Sequence, residues 1–184
     1  MDTKGRSGMS KPILVNLYGG PGAGKTTTAL QLTGELKALG LEAEYVPEYA
    51  RDLALEGRLI GAFQFDILME QAKRLFRSIG TGIEFVVTDS PILLQSLYAR
   101  NEADKERAVV LHTALASVFD MRNFIIMNDR ATHSMVGRVT DKETAKVLDS
   151  QCERALAGIN AEFLRVPKHG ACMDILDSLL IDDA

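Results

Sequence analysis

Gly19-Gly20-Pro21-Gly22-Ala23-Gly24-Lys25-Thr26, followed by Thr27, is the stretch on which the reading of this chain turns. It meets the pattern G-x-x-x-x-G-K-[ST] of a phosphate-binding P-loop at every fixed position. Glycines let the backbone wrap an anion with its N–H groups turned inward, and a following helix adds its positive end. The flanks agree with this. Pro12–Tyr18 is a short apolar run that reads as a buried strand. After the loop, Ala29, Leu32, Leu36 and Leu39 form one helical stripe, which Gly40 ends as a C′ residue would. Gly20, Pro21, Gly22, Ala23, Gly24, Lys25, Thr26 and Thr27 are therefore the expected contacts of ATP. Lys25 would reach the β- and γ-phosphates, and the Thr26 hydroxyl would ligate Mg²⁺.

Outward from the loop, short apolar runs alternate with segments of helical period. Strands are expected at Glu42–Val46, Ile83–Thr88, Asn123–Met127 and Phe163–Val166. Between them, helices are expected within Gly61–Ile79, over Pro91–Arg100 and Ala103–Asp120, from the capping box at Thr140–Glu143, and after Pro167–Gly170 to about Leu180. Five strands separated by helices predict an α/β fold, a parallel sheet covered on both faces. Ligands in such sheets collect beyond the carboxyl ends of the strands, so the chemistry is expected after Tyr18, Val46, Thr88, Met127 and Val166. Asp89 ends the third strand in Thr88-Asp89-Ser90-Pro91, where an acid would complete the Mg²⁺ shell or take a proton. Asp89 could also cap the helix begun by Pro91, although Ser90 is better placed for that.

Composition narrows the class. The 184 residues suit one domain over 11–184, preceded by a polar lead-in, Met1–Ser10, that reads as disordered and unlike a signal peptide. A net charge of −4 argues against a surface wrapped in nucleic acid, though not against a local basic groove. The densest basic cluster, Lys73, Arg74 and Arg77, is either a solvated face or a contact for a DNA backbone. Cys152 and Cys172 form no Cys-x-x-Cys pair and read as reduced core thiols in a cytoplasmic protein. The best candidate for a membrane span, Ala108–Phe119, is short and interrupted by His112, so no membrane association is expected.

No Asn-Lys-x-Asp motif for guanine is present, and the extra lysine of partition-type loops is replaced by Tyr18 and Gly19. An AAA-type motor calls for a further helical domain, for which this length leaves no room. A small kinase fits better. Residues 129–140 form a polar segment carrying Arg130 and Arg138, read as a short lid whose guanidinium groups would clamp the transferring phosphoryl group. His133 reads as a surface residue of that lid.

Three motifs together, Gly19–Thr27, Val46-Pro47-Glu48-Tyr49-Ala50-Arg51 and Thr88-Asp89-Ser90-Pro91, resemble the P-loop kinases of the NadR-type ribosylnicotinamide kinase group. Among phage-encoded relatives the chain is also similar to the 5-hydroxymethyluridine DNA kinases. The resemblance implies the three-layer nucleotide-kinase fold, with the P-loop strand lying between the Asp89 strand and the fourth. It also implies that Glu48 and Arg51 face the acceptor, a small nucleoside-like molecule or a modified base in DNA. Arg51 would either contact an acceptor phosphate or pair with Glu48. Gln64, Asp66 and Gln71 lie on the helix that would wall the acceptor pocket, where amides and carboxylates either read base edges or form a solvated helix face. Adenine is expected near Pro167–Gly170, beside Lys168 and His169. The other class kept open is a regulatory ATPase switch that acts through a protein partner.

Overall fold

The computed structural model describes residues 11–99, 101–127 and 142–181. Its centre is a parallel sheet of β1 (Ile13–Tyr18), β2 (Ala43–Val46), β3 (Phe85–Thr88), β4 (Asp120–Met127) and β5 (Leu164–Pro167), in the order β2-β3-β1-β4-β5. β1 lies between β3 and β4, as expected, with Ile13 opposite both Phe85 and Asp120. Alternation along β1 sends side chains to the two faces. Val15 and Leu17 pack under α1 (Lys25–Ala38) and α6 (Ala171–Ile181), together with Leu32, Leu36 and Ile175. Leu14 points the other way, to Leu68, Ala72 and Leu75 of α3 (Gln64–Phe76) and to Ala108 and Leu115 of α4 (Glu102–Val118). Tyr18 joins Cys152 and Leu156 of α5 (Lys142–Gly158) and Leu93 of a 3₁₀ helix (Ile92–Tyr98) on that second side. The result is a three-layer α/β/α fold.

The ends of α1 explain its length. It begins as soon as Gly24 is left in a left-handed conformation, φ 100°. It ends in a Schellman motif, with Gly40 N–H on Lys37 O at 3.0 Å and Leu41 N–H on Leu36 O at 3.1 Å. Leu39 is more than half exposed, so the inward stripe stops one turn earlier than its period suggests. A polar pair crosses the sheet interior: Asn16 Nδ2 donates to Asn123 Oδ1 at 3.1 Å, and Asn123 Nδ2 donates to Glu162 O at 2.9 Å. Both asparagines are buried and satisfied, which ties β1, β4 and the approach to β5 into one register.

One expectation needs correction, and two elements take a form that the sequence left open. β4 begins at Asp120, three residues before the expected start, because Asp120, Met121 and Arg122 pair with Ile13, Leu14 and Val15. The segment after Pro91 is a 3₁₀ helix and not an α-helix, and its entry has no side-chain cap. A short helix, α2 (Tyr49–Leu55), follows β2 and carries Arg51 in its first turn. Both cysteines are free thiols, Cys152 buried and Cys172 partly so. No helix among the described residues is long and apolar enough to cross a membrane.

Candidate active site

The loop after β1 is built around glycines that nothing else can replace. Gly19 has φ 137°, and a Cβ there would lie 2.9 Å from Ile126 O and 3.0 Å from Ala23 Cβ. Gly24 has φ 100°. A side chain at either position is strained by backbone conformation, and at Gly19 by contact with the sheet as well. Beyond Gly24, Thr28 N–H is the first amide of α1 to find a helical partner, Gly24 O at 2.9 Å. The N–H groups of Lys25, Thr26 and Thr27 belong to the first turn, where α-helical donors have no partner within the helix. They are free to grip an anion. Thr27 is exposed, Ala23 is buried, and Pro21 and Gly22 are half-buried on the rim.

Lys25 folds back over the loop. Its Nζ donates to Gly19 O at 2.6 Å and to Gly20 O at 3.3 Å. Burial lowers its pKa, and the charges of Glu48, Cys152, Asp89 and Asp149 oppose that shift. Thr26 Oγ1 donates to Asp89 Oδ2 at 2.5 Å, so the expected pair is made directly between α1 and the end of β3. Asp89 is buried, and among the described residues its Oδ1 has no hydrogen-bond partner. A buried carboxylate oxygen without a partner, beside a hydroxyl, is a donor set suited to a hard cation. Magnesium takes few protein ligands and completes its shell with phosphates and water. The residues present therefore fit Mg²⁺, which Thr26 and Asp89 could hold.

Glu48 sits at the entry to α2, half-buried, its side chain making no cap bond. Burial and then the Asp89 charge raise its pKa, against the lowering influence of Lys25 and Arg51. Tyr45, on the strand leading to it, is also raised, first by burial and then by Asp89. Tyr98 at the end of the 3₁₀ helix is raised by burial and by Glu48. Glu48, Asp89, Tyr45, Tyr98 and Lys25 thus share one electrostatic neighbourhood at the carboxyl ends of β1, β2 and β3. Arg51 is exposed on the first turn of α2 and forms no ion pair with Glu48, although its charge reaches it.

The side of the cleft made by α3 is a relay of amides. Gln64 Nε2 donates to Gln95 Oε1 at 3.1 Å, and Gln95 Nε2 donates to Ser90 Oγ at 2.9 Å. Gln64 is thereby drawn to the end of β3. Ser90 is an anchor for Gln95 and not a helix cap, which corrects its expected role. Gln71 is not a reader of the acceptor. It is fully buried, accepting from Tyr49 N–H at 2.8 Å and donating to Pro47 O at 3.3 Å, and so fixes the turn that carries Glu48. Asp66 is exposed. The basic cluster is also divided. Arg74 pairs with Asp52 at 2.7 Å and lies 4.7 Å from the centre of the Tyr49 ring, while Lys73 pairs with Glu70 at 3.3 Å. Arg77 is exposed.

On the other side of α1, Lys168 Nζ donates to Gly22 O at 3.0 Å, tying the turn after β5 to the loop. Next to that contact a cavity of about 280 Å³ is lined by Thr28, Gln31, Glu35, Lys168, Gly170 and Ala171. His169 is exposed. A further cavity, about 330 Å³, opens at the amino ends of β4 and β5, away from the loop. Arg130, Arg138, His133 and the lid at 129–140 lie outside the described residues. The reading of the sequence missed Asp149, whose Oδ1 accepts from Gly20 N–H at 2.6 Å, and Gln95. Asp149 follows Leu148 and precedes Cys152, both read as inward residues of α5, so a polar group on that face was the available signal.

A family model described as an AAA domain, AAA_28, matches residues 14–171. The chain belongs to that family. On length the sequence reading excludes an AAA-type motor; this AAA_28 chain bears the AAA name all the same, so length does not separate it from that class. No curated protein sequence matches it. Among solved structures it is similar to NadR protein in complex with NR, at 16% identity and TM-score 0.63 over 91% of this chain and 51% of that one. The AAA_28 chain thus spans about half the length of the NadR chain. Thymidylate kinase from Ehrlichia chaffeensis matches at 14% identity and TM-score 0.61, over 92% and 99% of the two chains. Mycobacterium tuberculosis APS kinase CysC, as a variant, matches at 13% identity and TM-score 0.51, over 92% and 97%. At these identities the likeness is one of fold, and the fold is that of P-loop kinases.

Proposed function

We propose that this AAA_28 chain is an ATP- and Mg²⁺-dependent kinase that moves the γ-phosphoryl group to a hydroxyl of a nucleoside- or nucleotide-type acceptor. One observation carries the reading: Lys25, the Thr26–Asp89 pair and the raised carboxyl of Glu48 converge at the ends of three adjacent strands. Nucleotide kinase architecture among the solved neighbours supports it. The first-turn amides and Lys25 hold the phosphates, and the cavity beside Lys168 takes the base. Mg²⁺, held by Thr26 and Asp89, supplies charge neutralisation on the phosphate oxygens. Glu48 stands across from Asp89 with its pKa raised, which suits a group that must accept the acceptor's hydroxyl proton. Glu48 would thus both bind the acceptor's hydroxyl and take its proton. Gln64, drawn to the same place by Gln95, presents amide atoms to the acceptor. Arg51 forms no ion pair among the described residues and is the acceptor-side cation of α2.

The test is transfer of label from radiolabelled ATP to a panel of nucleosides, nucleoside monophosphates and DNA containing hydroxymethylpyrimidines. The expected result is a labelled acceptor and ADP formation that depends on it. Slow hydrolysis indifferent to every acceptor would overturn the kinase reading in favour of an ATPase switch.

A further inference from the structure

We propose that Asp149 of α5 is a positioning residue for the phosphate loop, clamping the Gly19–Gly20 peptide so that its carbonyl is aimed at Lys25. The hydrogen bonds form a continuous line. The Asp149 Oδ1 accepts from Gly20 N–H at 2.6 Å, and Lys25 Nζ donates to Gly19 O at 2.6 Å. Gly20 N–H and Gly19 C=O belong to the same peptide group. No cis peptide occurs among the described residues, so this group is trans and planar, and its N–H and C=O point in opposite directions. Fixing one end fixes the other. A carboxylate on the N–H and an ammonium on the C=O also polarise the group in the same sense, which strengthens both bonds.

Among the described residues, Asp149 and Lys25 are the side chains that hold that peptide. Gly19 has the conformational freedom of φ 137°, which other residues rarely adopt, and the same freedom would let the peptide rotate. Cys152, three residues beyond Asp149 on the same face of α5, is buried beside Tyr18 at the end of β1. The Gly20 amide at the start of the loop is thus held by α5, while the first-turn amides of Lys25, Thr26 and Thr27 are left for phosphate. Asp149 touches no reacting atom in this arrangement; it acts through Gly20 and Lys25.

The inference rests on the proposed role of Lys25 in holding the phosphates, and the experiment keeps the two apart. The nucleotide-free protein is observed by amide NMR, and ATP·Mg²⁺ is titrated calorimetrically into the wild type, Asp149→Ala and Asp149→Asn. A Gly20 amide shifted downfield in the wild type, and moved upfield in Asp149→Ala, is expected. Asp149→Ala should weaken ATP binding about tenfold or more, the loss of one charge-assisted bond. Asp149→Asn keeps an acceptor oxygen and should recover most of that loss, which a role in packing alone would not distinguish. In turnover the KM for ATP should rise more than kcat falls. A Gly20 amide indifferent to Asp149, or an Asn variant as impaired as the Ala variant, would overturn the clamp. Should Asp149→Ala fail to fold, the wild-type Gly20 shift and the Asn variant decide the matter. A wild type that binds no ATP at all would count against the kinase reading, while the Gly20 shift would still judge the clamp.

Discussion

The two sides of the cleft are held together differently. On the phosphate side the working groups are backbone: the amides at the head of α1, the carbonyls of Gly19 and Gly20 under Lys25, and the Gly22 carbonyl under Lys168. On the acceptor side they are side chains that join one element to another, Gln64 to Gln95 and on to Ser90, Gln71 to the backbone of Pro47 and Tyr49, and Arg74 to Asp52. A backbone site depends on conformation, and a glycine pattern is enough to specify it. A side-chain site depends on which distant segments meet, so its chemistry can change by single substitutions while the fold stands. Phosphate handling should therefore be common to any relative with this loop, and acceptor choice particular to each chain.

Breaking the phosphate side should cost most. Asp89→Asn keeps a partner for the Thr26 hydroxyl but weakens the metal shell. It is expected to lower kcat by ~10²-fold while ATP affinity changes little. Steady-state kinetics alongside calorimetry would show this, and unchanged kcat would remove Asp89 from the chemistry. Next comes the frame of the acceptor side. Gln71→Leu fills the same space but leaves Tyr49 N–H and Pro47 O without partners. A stability loss of ~1–3 kcal/mol in urea unfolding is expected. If Gln71 instead read the acceptor, KM would change and stability would not.

A smaller effect is expected at Gln64. Gln64→Leu should raise the KM of the acceptor by about tenfold and leave the KM of ATP alone, which separates the two sides within one enzyme. The smallest concerns pH. Glu48 has a raised pKa in the fold, so the folded state disfavours its charged form and stability is lost as pH rises through that pKa. Glu48→Gln should therefore melt at a higher temperature than the wild type at neutral pH. That gain should vanish below the ordinary glutamate range, where both states are protonated. A gain independent of pH would assign the effect to packing.

These differences also explain what could be read in advance. The strand order around β1, the loop, Thr26 with Asp89, and the position of Glu48 were legible because each follows from a local pattern placed at a strand end. Gln71 was misread because its helical position says that it faces the sheet's end but not whether a backbone turn waits there. Ser90 looked like a cap because Pro91 follows it, yet Gln95 claims its hydroxyl. Asp149 was invisible because α5 reaches the loop only once the sheet is assembled, and a lone acid on an inward face carries no pattern. Arg130 and Arg138 lie outside the described residues.

The claim beneath all of this is that one loop and one ammonium group hold the nucleotide's phosphates. Calorimetric titration of ATP into wild type and Lys25→Ala, each with and without Mg²⁺, measures it directly. Saturable binding strengthened by Mg²⁺ in the wild type, and weakened at least about tenfold in a Lys25→Ala protein of unchanged melting temperature, is predicted. Equal affinity in the two proteins would contradict the account.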